Sequence, residues 1–310
     1  MSISRNILLW ASENKWMREH VPSWRFVKKA VKKFMPGETE ASALLEALKL
    51  SEKNLPSVFT KLGENINRIE DAEAVKDHYI SLINKISASR INIEISLKLT
   101  QLGLDLSEEA AFKFCKEIAH EVKTKLGNTL FLDMEGSTYT QQTVDFYVRL
   151  KSECDNVGLC LQAYLYRTKD DIEKLIAVSP SIRLVKGAYK EAPHIAMPVK
   201  KNVDENYLLL AKQLITASCN AGIRIIFATH DEILIEKIIK ESKLLGLPKE
   251  KLEFQMLYGI KNNFLKNISE RGYKGSVLVA YGESWYPWYM RRLAERPANV
   301  WFVIKNLFVN

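Results

Sequence analysis

Short runs of apolar and β-branched residues recur along the chain, each bounded by polar or turn-forming residues. Runs of this length and composition predict buried β-strands. The eight predicted strands are Ser57–Lys61, Asn92–Leu99, Leu130–Met134, Leu159–Tyr164, Ile182–Lys186, Ile223–Ala228, Leu252–Met256 and Ser276–Tyr281. The first of them has the weakest signal, because it is short and follows Pro56.

Between the predicted strands, apolar residues recur every three or four positions, which is the helical spacing. The clearest examples are Thr140–Asn156, Val203–Ala221 and Asp231–Leu245. The last of these ends just before Gly246 and Pro248, two residues that stop helices. Strands roughly 25–40 residues apart with helices between them predict right-handed crossovers and a parallel sheet.

Eight strand–helix units predict an α/β fold of the (β/α)8 TIM barrel class, which a chain of 310 residues can accommodate. A doubly wound open sheet is the alternative, but the chain has neither a GxGxxG fingerprint nor a P-loop. Residues 1–35 precede the repeat and are helical in composition. We therefore expect additional N-terminal helices, as an arm over 1–35, and a barrel catalytic domain over 36–310.

The composition is that of a globular protein, with an excess of positive charge. Lys and Arg number 45 against 37 Asp and Glu, a formal net charge of +8. Such an excess is compatible with nucleic acid, an anionic membrane surface or an anionic ligand, but the lysines are scattered, which favours an ordinary basic surface. The N-terminal segment has no run long enough for a signal peptide or a spanning helix, although Trp10, Trp16 and Trp24 among basic residues could touch a bilayer.

The spacing of the cysteines and histidines indicates neither disulfide bonds nor a metal site. The four cysteines form no CxxC pair and no disulfide framework, and the five histidines are dispersed. We therefore predict a cytoplasmic protein, with peripheral contact to the inner face of the membrane as an option, and no metal site.

Polar residues stand at or near the ends of seven of the eight predicted strands, where the active sites of such barrels gather. A single one could be half of a structural ion pair. The whole set predicts a site, because burying unpaired charges costs several kcal/mol each. These residues are Lys98, Asp133, Gln162, Arg183, Lys186, Thr229, His230, Asp231, Glu253, Gln255 and Tyr281.

The last predicted helix, over 286–296, strengthens this prediction. Glu295 is four residues after Arg291 and three after Arg292, so it can pair with either guanidinium. Trp288 is close enough along the helix to stack on them. Because the guanidinium fork matches a carboxylate, this helix predicts a grip for a small carboxylate substrate.

The segment VKGAY leaves two interpretations open. Gly187 after Lys186 permits a tight turn or the close approach of a phosphate or a flat ring. Lys186 at a strand end could equally be a Schiff-base lysine. The local sequence does not separate the two.

Seven segments together resemble the proline dehydrogenase family, in its monofunctional bacterial type. They run in order from about residue 36 to the C-terminus, and LVKGAY and RRLAERPAN are the most specific pieces. The segments are SLKLTQLG, LDMEGS, LQAYLYR, IRLVKGAYKE, FATHD, EFQMLYG and YMRRLAERPAN. We therefore expect no second catalytic domain, unlike in the bifunctional enzyme that also carries an aldehyde dehydrogenase.

The resemblance implies a distorted (β/α)8 barrel that binds FAD non-covalently. The implied reaction is oxidation of L-proline to Δ1-pyrroline-5-carboxylate, the first step of proline degradation to glutamate. Hydride would leave proline C5 for flavin N5, and the electrons would pass to a membrane quinone. The protein's part would be to position the ring against the flavin and to exclude competing reactions.

The resemblance also assigns residues to the substrate. Arg291 and Arg292 would bind the proline carboxylate, with Lys98 as a third cation on it, and Glu295 would orient the arginines. The three cations would favour the neutral amine that hydride loss requires.

Aromatic residues and one carboxylate complete the implied substrate site. Tyr281, Trp288 and Tyr289 would wall the proline ring, and Asp133 would lie beside the substrate and help to close the site. Trp288 departs from the family pattern, which has Tyr there, so substrate specificity could differ.

The flavin ring would contact three of the strand-end residues. Arg183 would lie against the N5 region of the isoalloxazine. Arg183 and Asp133 are the two predicted catalytic residues. Gln162 and the backbone of Met134 would hold the ring.

The rest of the cofactor would follow the next two strands. The ribityl–phosphate chain would run along Lys186, Gly187 and Ala188, and Thr229 and His230 would serve the phosphate and adenosine portion. The neighbouring Asp231 stands where relatives often have Asn, which could alter cofactor contacts.

Three other functions compete with this one. A flavin barrel of the methylenetetrahydrofolate reductase kind would need a folate-sized cleft, and RRLAERPAN argues against it. A lysine-dependent aldolase would rest on Lys186 alone. A basic barrel that binds nucleic acid would rest only on the charge excess, without an aromatic–basic motif.

Overall fold

Eight parallel strands close into a barrel in which each strand pairs with its neighbours in chain order, and β8 pairs with β1. This computed structural model describes residues 3–295. The strands are β1 Ser57–Lys61, β2 Ile93–Leu97, β3 Leu130–Leu132, β4 Val157–Gln162, β5 Ser181–Val185, β6 Arg224–Ala228, β7 Leu252–Leu257 and β8 Lys274–Tyr281. The predicted (β/α)8 barrel and all eight of its strands, including the weakly signalled first one, are confirmed.

Several strands end earlier than their sequence pattern predicts. β2 ends at Leu97 and β3 at Leu132, so Lys98 and Asp133 lie in the loops that follow. β5 likewise ends one residue before Lys186. The strand-end polar residues therefore stand at the carboxyl rim of the barrel, where their side chains are free to face a ligand.

Twelve α-helices lie in the described range, and eleven of them precede the helix that follows the last strand. They are α1 Ile3–Glu13, α2 Lys15–His20, α3 Arg25–Val31, α4 Glu40–Ser51, α5 Ile69–Ser89, α6 Glu108–Glu121, α7 Ser137–Glu153, α8 Thr168–Leu175, α9 Lys200–Ala221, α10 Glu232–Leu244, α11 Asn262–Glu270 and α12 Trp285–Glu295. The predicted helices correspond to α7, α9, α10 and α12. The predicted end of the last one, Arg296, lies outside the described residues, as does the PAN of RRLAERPAN.

The outward-facing residues of the strands pack against the surrounding helices in one continuous apolar core. Residues such as Ile95, Leu159 and Phe254 are fully buried there. Because side chains alternate along a strand, the residues between them face into the barrel. The interior is partly apolar as well, since the ring of Phe131 fills it beside Gly158, where a Cβ atom would lie 2.4 Å from that ring.

The amino-terminal end of the barrel is closed by a charged cluster around Arg224. Its guanidinium donates to Glu253 at 2.8 Å and to Glu94 at 3.2 Å. The ring of Phe131 lies 5.5 Å from the guanidinium carbon. Glu253 was one of the predicted site residues, and this placement is a correction: it is half of a structural ion pair at the end of the barrel away from the rim.

Helices α1 and α3 pack on α12 and on the carboxyl ends of β7 and β8, in a second apolar cluster. Leu8 and Leu9 of α1 are buried there with Trp285 and Leu293 of α12. The fit is close at Gly259, where an added Cβ would lie 1.6 Å from the carbonyl oxygen of Lys33. The N-terminal helices thus lie at the carboxyl rim. None of the helices in the described range is both long and apolar enough to cross a bilayer.

Candidate active site

A cavity of about 600 Å³ opens at the carboxyl rim of the barrel, a volume typical of small-molecule and cofactor sites. Each strand, or the residue just after it, contributes to its lining, and α12 forms one side. Of the residues that the sequence assigns to substrate or cofactor, all but Tyr281 and Tyr289 line it. The residues that line the cavity are Lys98, Asp133, Met134, Gln162, Arg183, Lys186, Gly187, Ala188, Thr229, His230, Trp288, Arg291, Arg292 and Glu295.

Tyr281 is the first exception, and its placement corrects the prediction. Leu278 lines the cavity, so strand alternation turns Tyr281, three residues later, to the outside of β8. Its hydroxyl group is hydrogen-bonded to Nε2 of His78 on α5 at 2.8 Å, and its ring packs edge-on against Phe59. It therefore contributes to the packing between strand and helix and does not wall the cavity.

Tyr289 is the second exception, and it is also turned away from the cavity. It is one residue from Trp288 on α12, a rotation of about 100°. Its ring packs against Phe34 and Trp285 in the cluster that joins α12 to the N-terminal helices. Of the three aromatic residues expected around the substrate, only Trp288 lines the cavity.

The centre of the cavity floor is the buried guanidinium of Arg183, which is 1% exposed. It is ion-paired with Asp133, and it donates to Ser96 Oγ at 2.8 Å and to Gln255 Oε1 at 3.2 Å. Burial acts to lower the pKa of Arg183, but the negative charges of Asp133 and Glu94 and the neighbouring Cys160 together raise it. The guanidinium is therefore charged and fixed in position.

Asp133 is held by the same network from the other side. Its carboxylate accepts hydrogen bonds from Ser96 Oγ at 2.8 Å and from Thr60 Oγ1 at 3.4 Å. Neither Ser96 nor Thr60 was singled out in the sequence. Ser96 could have been found from strand alternation, since it is two residues before Lys98 and so shares its face.

At the mouth of the cavity, Arg291 is ion-paired with Glu64 from the loop after β1. Its guanidinium carbon lies 4.7 Å from the centre of the Tyr189 ring. Burial would raise the pKa of Glu64, but Arg291 and Lys98 together lower it, so Glu64 is ionised. Glu64 was missed in the sequence because it is 227 positions from its partner.

Arg292 has a different partner from Arg291. Glu295 pairs with Arg292 at 2.9 Å, and the ring of Trp288 lies 6.0 Å from the Arg292 guanidinium carbon. Among the ion pairs seen here, Glu295 is paired with Arg292 and Glu64 is paired with Arg291. Nε of Arg292 is buried without a hydrogen-bond partner among the described residues.

Lys98 interacts electrostatically with two carboxyl groups, that of the partly buried Glu64 and that of the buried Glu135. Glu135 accepts hydrogen bonds from Thr100, through the amide at 3.2 Å and the hydroxyl at 2.7 Å. Burial raises the pKa of Glu135 to about 7, although Lys98 and Thr100 act against it. Three cations therefore line the cavity at its mouth, and the carboxyl group of Glu135, which interacts with Lys98, has a pKa of about 7.

On the opposite side, Gln162 holds the loop after β3 in place. Its amide nitrogen donates to the carbonyl oxygens of Met134 at 3.2 Å and Glu135 at 2.7 Å. Its Oε1 is buried without a partner among the described residues, although Gln162 lines the cavity. An unpaired buried acceptor in a cavity wall suits a ligand with an N–H donor.

Gly187 brings the backbone after β5 close to Tyr164. Its φ is +107°, and an added Cβ would lie 2.2 Å from the Tyr164 ring, so both conditions require glycine at this position. The preceding Lys186 donates to Asp204 and, at 3.0 Å, to Asp231. A Schiff-base lysine acts as a neutral amine in an apolar setting, so this double ion pair does not favour the aldolase interpretation.

The last part of the cavity is formed after β6. Nε2 of His230 accepts a hydrogen bond from the amide of Leu257 at 2.9 Å, which requires the ring proton to be on Nδ1. Thr229 is buried, and its hydroxyl accepts from the amide of Asp231 at 3.3 Å. Both residues line the cavity, as does Lys186.

A closed (β/α)8 barrel with a deep, charged cavity at its carboxyl rim is the arrangement of an enzyme of the TIM barrel class. A family model described as proline dehydrogenase matches residues 43–305. The chain belongs to the proline dehydrogenase family, and it is an oxidoreductase.

Two curated relatives support this assignment over nearly the whole length. Proline dehydrogenase 1 of Bacillus subtilis (strain 168) is 35% identical over 307 residues, which are 98% of each chain. The proline dehydrogenase of Deinococcus radiodurans is 33% identical over 280 residues, 89% of each chain. A solved structure of proline utilization A from Bdellovibrio bacteriovorus, inactivated by N-propargylglycine, has the same fold, with a TM-score of 0.79 and 23% identity across 93% of this chain and 38% of that one.

Gly187→Ala should destabilise the protein more than the same change at a glycine with free space around it. Gly222 also has a positive φ, +68°, but an added Cβ there meets nothing within 4 Å. We expect Gly222→Ala to cost about 1 kcal/mol through backbone strain alone and Gly187→Ala about 2 kcal/mol more, through overlap with Tyr164. Urea unfolding of both variants measures the difference, and equal losses would show that the contact with Tyr164 is not tight.

Glu135→Gln should change how stability depends on pH. Glu135 binds its proton more tightly in the folded protein, with a pKa of about 7 against an ordinary value of 4.5. The folded state therefore holds more protons between these values, and the free energy of unfolding falls as pH rises through them. Relative to the parent protein, Glu135→Gln should gain roughly 1–3 kcal/mol between about pH 5 and about pH 8.

The matched control is Glu250→Gln, at an exposed position far from the cavity. Its stability relative to the parent should not vary over the same interval. A Glu135→Gln curve that runs parallel to the parent curve would mean that Glu135 titrates normally.

Proposed function

We propose that this chain oxidises L-proline to Δ1-pyrroline-5-carboxylate with FAD as cofactor and a membrane quinone as electron acceptor. The observation that carries the proposal is the convergence of Lys98, Arg291 and Arg292 on one cavity, in a chain of the proline dehydrogenase family. When bound, the flavin would supply the acceptor for the hydride that leaves proline C5.

The arginine pair and Lys98 would bind the proline carboxylate. Each arginine is held by its own carboxylate, Glu64 for Arg291 and Glu295 for Arg292, so both forks are oriented before the substrate arrives. Preorganised donors lose little conformational entropy on binding. The free Nε of Arg292 gives an incoming carboxylate oxygen a donor that the described protein residues leave unused.

The three cations would also act on the substrate amine. A positive charge nearby disfavours the ammonium form, so Lys98, Arg291 and Arg292 should promote the loss of the proline N–H proton. Glu135, with its pKa of about 7, lies beside Lys98 and is suited to exchange protons near neutral pH. Trp288 would provide the apolar wall against which the methylene groups of the ring pack.

The opposite side of the cavity fits an isoalloxazine ring. The unpaired Oε1 of Gln162 would accept from an N–H of the ring, and the fixed charge of Arg183 would stabilise negative charge that develops on it. Gly187 would let the backbone after β5 approach the ribityl–phosphate chain. Phosphate oxygens would compete with Asp204 and Asp231 for the ammonium of Lys186.

The proposal is tested by reconstituting the protein with FAD and adding L-proline without oxygen. The bound flavin should lose its oxidised absorbance, and a quinone analogue should restore it. Flavin that binds but is not reduced by L-proline would refute the proposed substrate. Release of the flavin by denaturation, followed by chromatography, would show whether FAD is the bound form.

Arg292→Met should weaken L-proline binding by about 2–4 kcal/mol, as truncation of a charged hydrogen-bonding partner usually does. Arg292 is preferable to Arg291 here, because its removal breaks the ion pair of the more exposed Glu295 rather than that of the less exposed Glu64. The control is Arg149→Met, which breaks an ion pair on the surface of α7. An unchanged L-proline concentration for half-maximal flavin reduction in Arg292→Met would show that the carboxylate lies elsewhere.

A further inference from the structure

One buried hydroxyl group, that of Thr100, joins the loops after β1, β2 and β3. Thr100 lies in the turn after β2 and is fully buried. Its hydroxyl donates to Oε2 of Glu135, after β3, at 2.7 Å and accepts from the backbone amide of Asn65, after β1, at 3.3 Å. The amide of Thr100 donates to the other carboxylate oxygen of Glu135 at 3.2 Å. Thr100 thus connects Glu135 with the loop whose Glu64 holds Arg291.

The direction of these hydrogen bonds bears on the charge of Glu135. A backbone amide can only donate, so the Thr100 oxygen accepts from Asn65 while its own proton is directed to the carboxylate. Both oxygens of Glu135 therefore receive a hydrogen bond from Thr100, which stabilises the ionised form. Hydrogen bonds in such a chain strengthen one another. Thr100 thus acts against burial, which favours the protonated form of Glu135.

Charged and titratable groups from several loops act on Glu135. They are Lys98, Glu64, Arg291, Tyr139 and Tyr189. Burial raises the pKa of both tyrosines, so they are neutral near pH 7, and the neighbouring cations lower the pKa of Glu64 and keep it ionised. Glu135, with its pKa of about 7, therefore changes charge near neutral pH in surroundings whose charges are fixed.

This change determines how much positive charge remains at the mouth of the cavity. Two of the three cations there are paired with carboxylates, Arg291 with Glu64 and Arg292 with Glu295. One positive charge is thus in excess while Glu135 is protonated, and ionisation of Glu135 removes the excess. A substrate carboxylate is attracted by the excess charge, so it should bind less tightly once Glu135 has lost its proton.

We propose that Thr100 is a positioning residue that holds the ionised carboxylate of Glu135 beside Lys98 and so governs how tightly the mouth binds a substrate carboxylate. Thr100 acts through Glu135 and does not itself touch the substrate. This role rests on the proposed function only in requiring that the substrate carboxylate binds at the mouth.

The test is binding of cyclopentanecarboxylate to the FAD-reconstituted full chain, followed by the absorbance of the flavin. This probe has a five-membered ring and a carboxylate but no amine that could titrate or be oxidised. Between about pH 6 and about pH 9, we expect its Kd to rise roughly fivefold or more, and the rise should be centred at about pH 7 to 8. Glu135→Gln should remove the rise, because no charge then appears beside Lys98.

Thr100→Val keeps the shape of the side chain and removes its hydroxyl. The carboxylate of Glu135 then loses one of its two donors from Thr100, so the rise in Kd should move to higher pH by about one unit or more. Thr100→Ala removes the same hydroxyl and keeps the test available if Thr100→Val does not fold. Thr100→Ser, which restores the hydroxyl, should restore the parent curve.

The matched control is Thr140→Val, the same change at another buried threonine. Thr140 lies on α7 and is 1% exposed, and its hydroxyl has no hydrogen-bond partner among the described residues. Its curve should coincide with that of the parent. A shift in Thr140→Val as large as that in Thr100→Val would overturn the proposal, because the loss of any buried hydroxyl would then suffice.

Three further results would overturn it as well. They are a Kd that does not vary with pH in the parent, a Thr100→Val curve that coincides with the parent curve, and the absence of any binding of the probe to the parent. Binding that follows the expected curves without flavin reduction by L-proline would support the role of Thr100 and refute the proposed reaction, so the two failures are distinguishable.

Discussion

A charge buried inside a barrel must be neutralised by partners within that barrel. The arrangement of polar residues in this interior follows from how the charge of Arg183 is neutralised. Its guanidinium, almost without solvent contact, is reached by Asp133 after β3, Ser96 on β2 and Gln255 on β7. Residues from four strands thereby converge on one point below the cavity. Unpaired, that charge would cost several kcal/mol, so the network both fixes the floor of the cavity and explains why polar residues replace apolar ones there.

At the mouth of the cavity, the positive charges are also paired with carboxylates, but their neutralisation is less complete. Arg291 has Glu64 and Arg292 has Glu295, but Lys98 adds a third cation, and the nearby Glu135 is easily protonated. The balance therefore leaves attraction for one more negative group, which in the proposed function is the carboxylate of proline. In the proposed function, the neutralised floor would position the ring-binding side of the cavity, and the incompletely neutralised mouth would select the substrate.

Much of this could be predicted from the sequence, for physical reasons. Parallel strands place their carboxyl ends on one rim, so locating the strands was enough to bring Lys98, Asp133, Gln162 and Arg183 together. The wrong predictions concerned the direction of side chains and partners that are far apart in the sequence. Tyr281 and Tyr289 are on the predicted elements, but strand alternation and helical rotation turn their side chains away from the cavity. Glu64 could not be matched to Arg291, because only closure of β8 on β1 brings their loops together, and Glu253 was assigned to the wrong end of its strand.

The interaction between Arg183 and Asp133 is the most direct point at which to test this account. A double-mutant cycle with Arg183→Met, Asp133→Asn and the pair of changes would measure their coupling in the free energy of unfolding. We expect a coupling of about 2 kcal/mol or more, because either single change leaves a buried polar or charged group without its partner. A coupling of less than about 0.5 kcal/mol would contradict the claim that this ion pair organises the interior of the barrel.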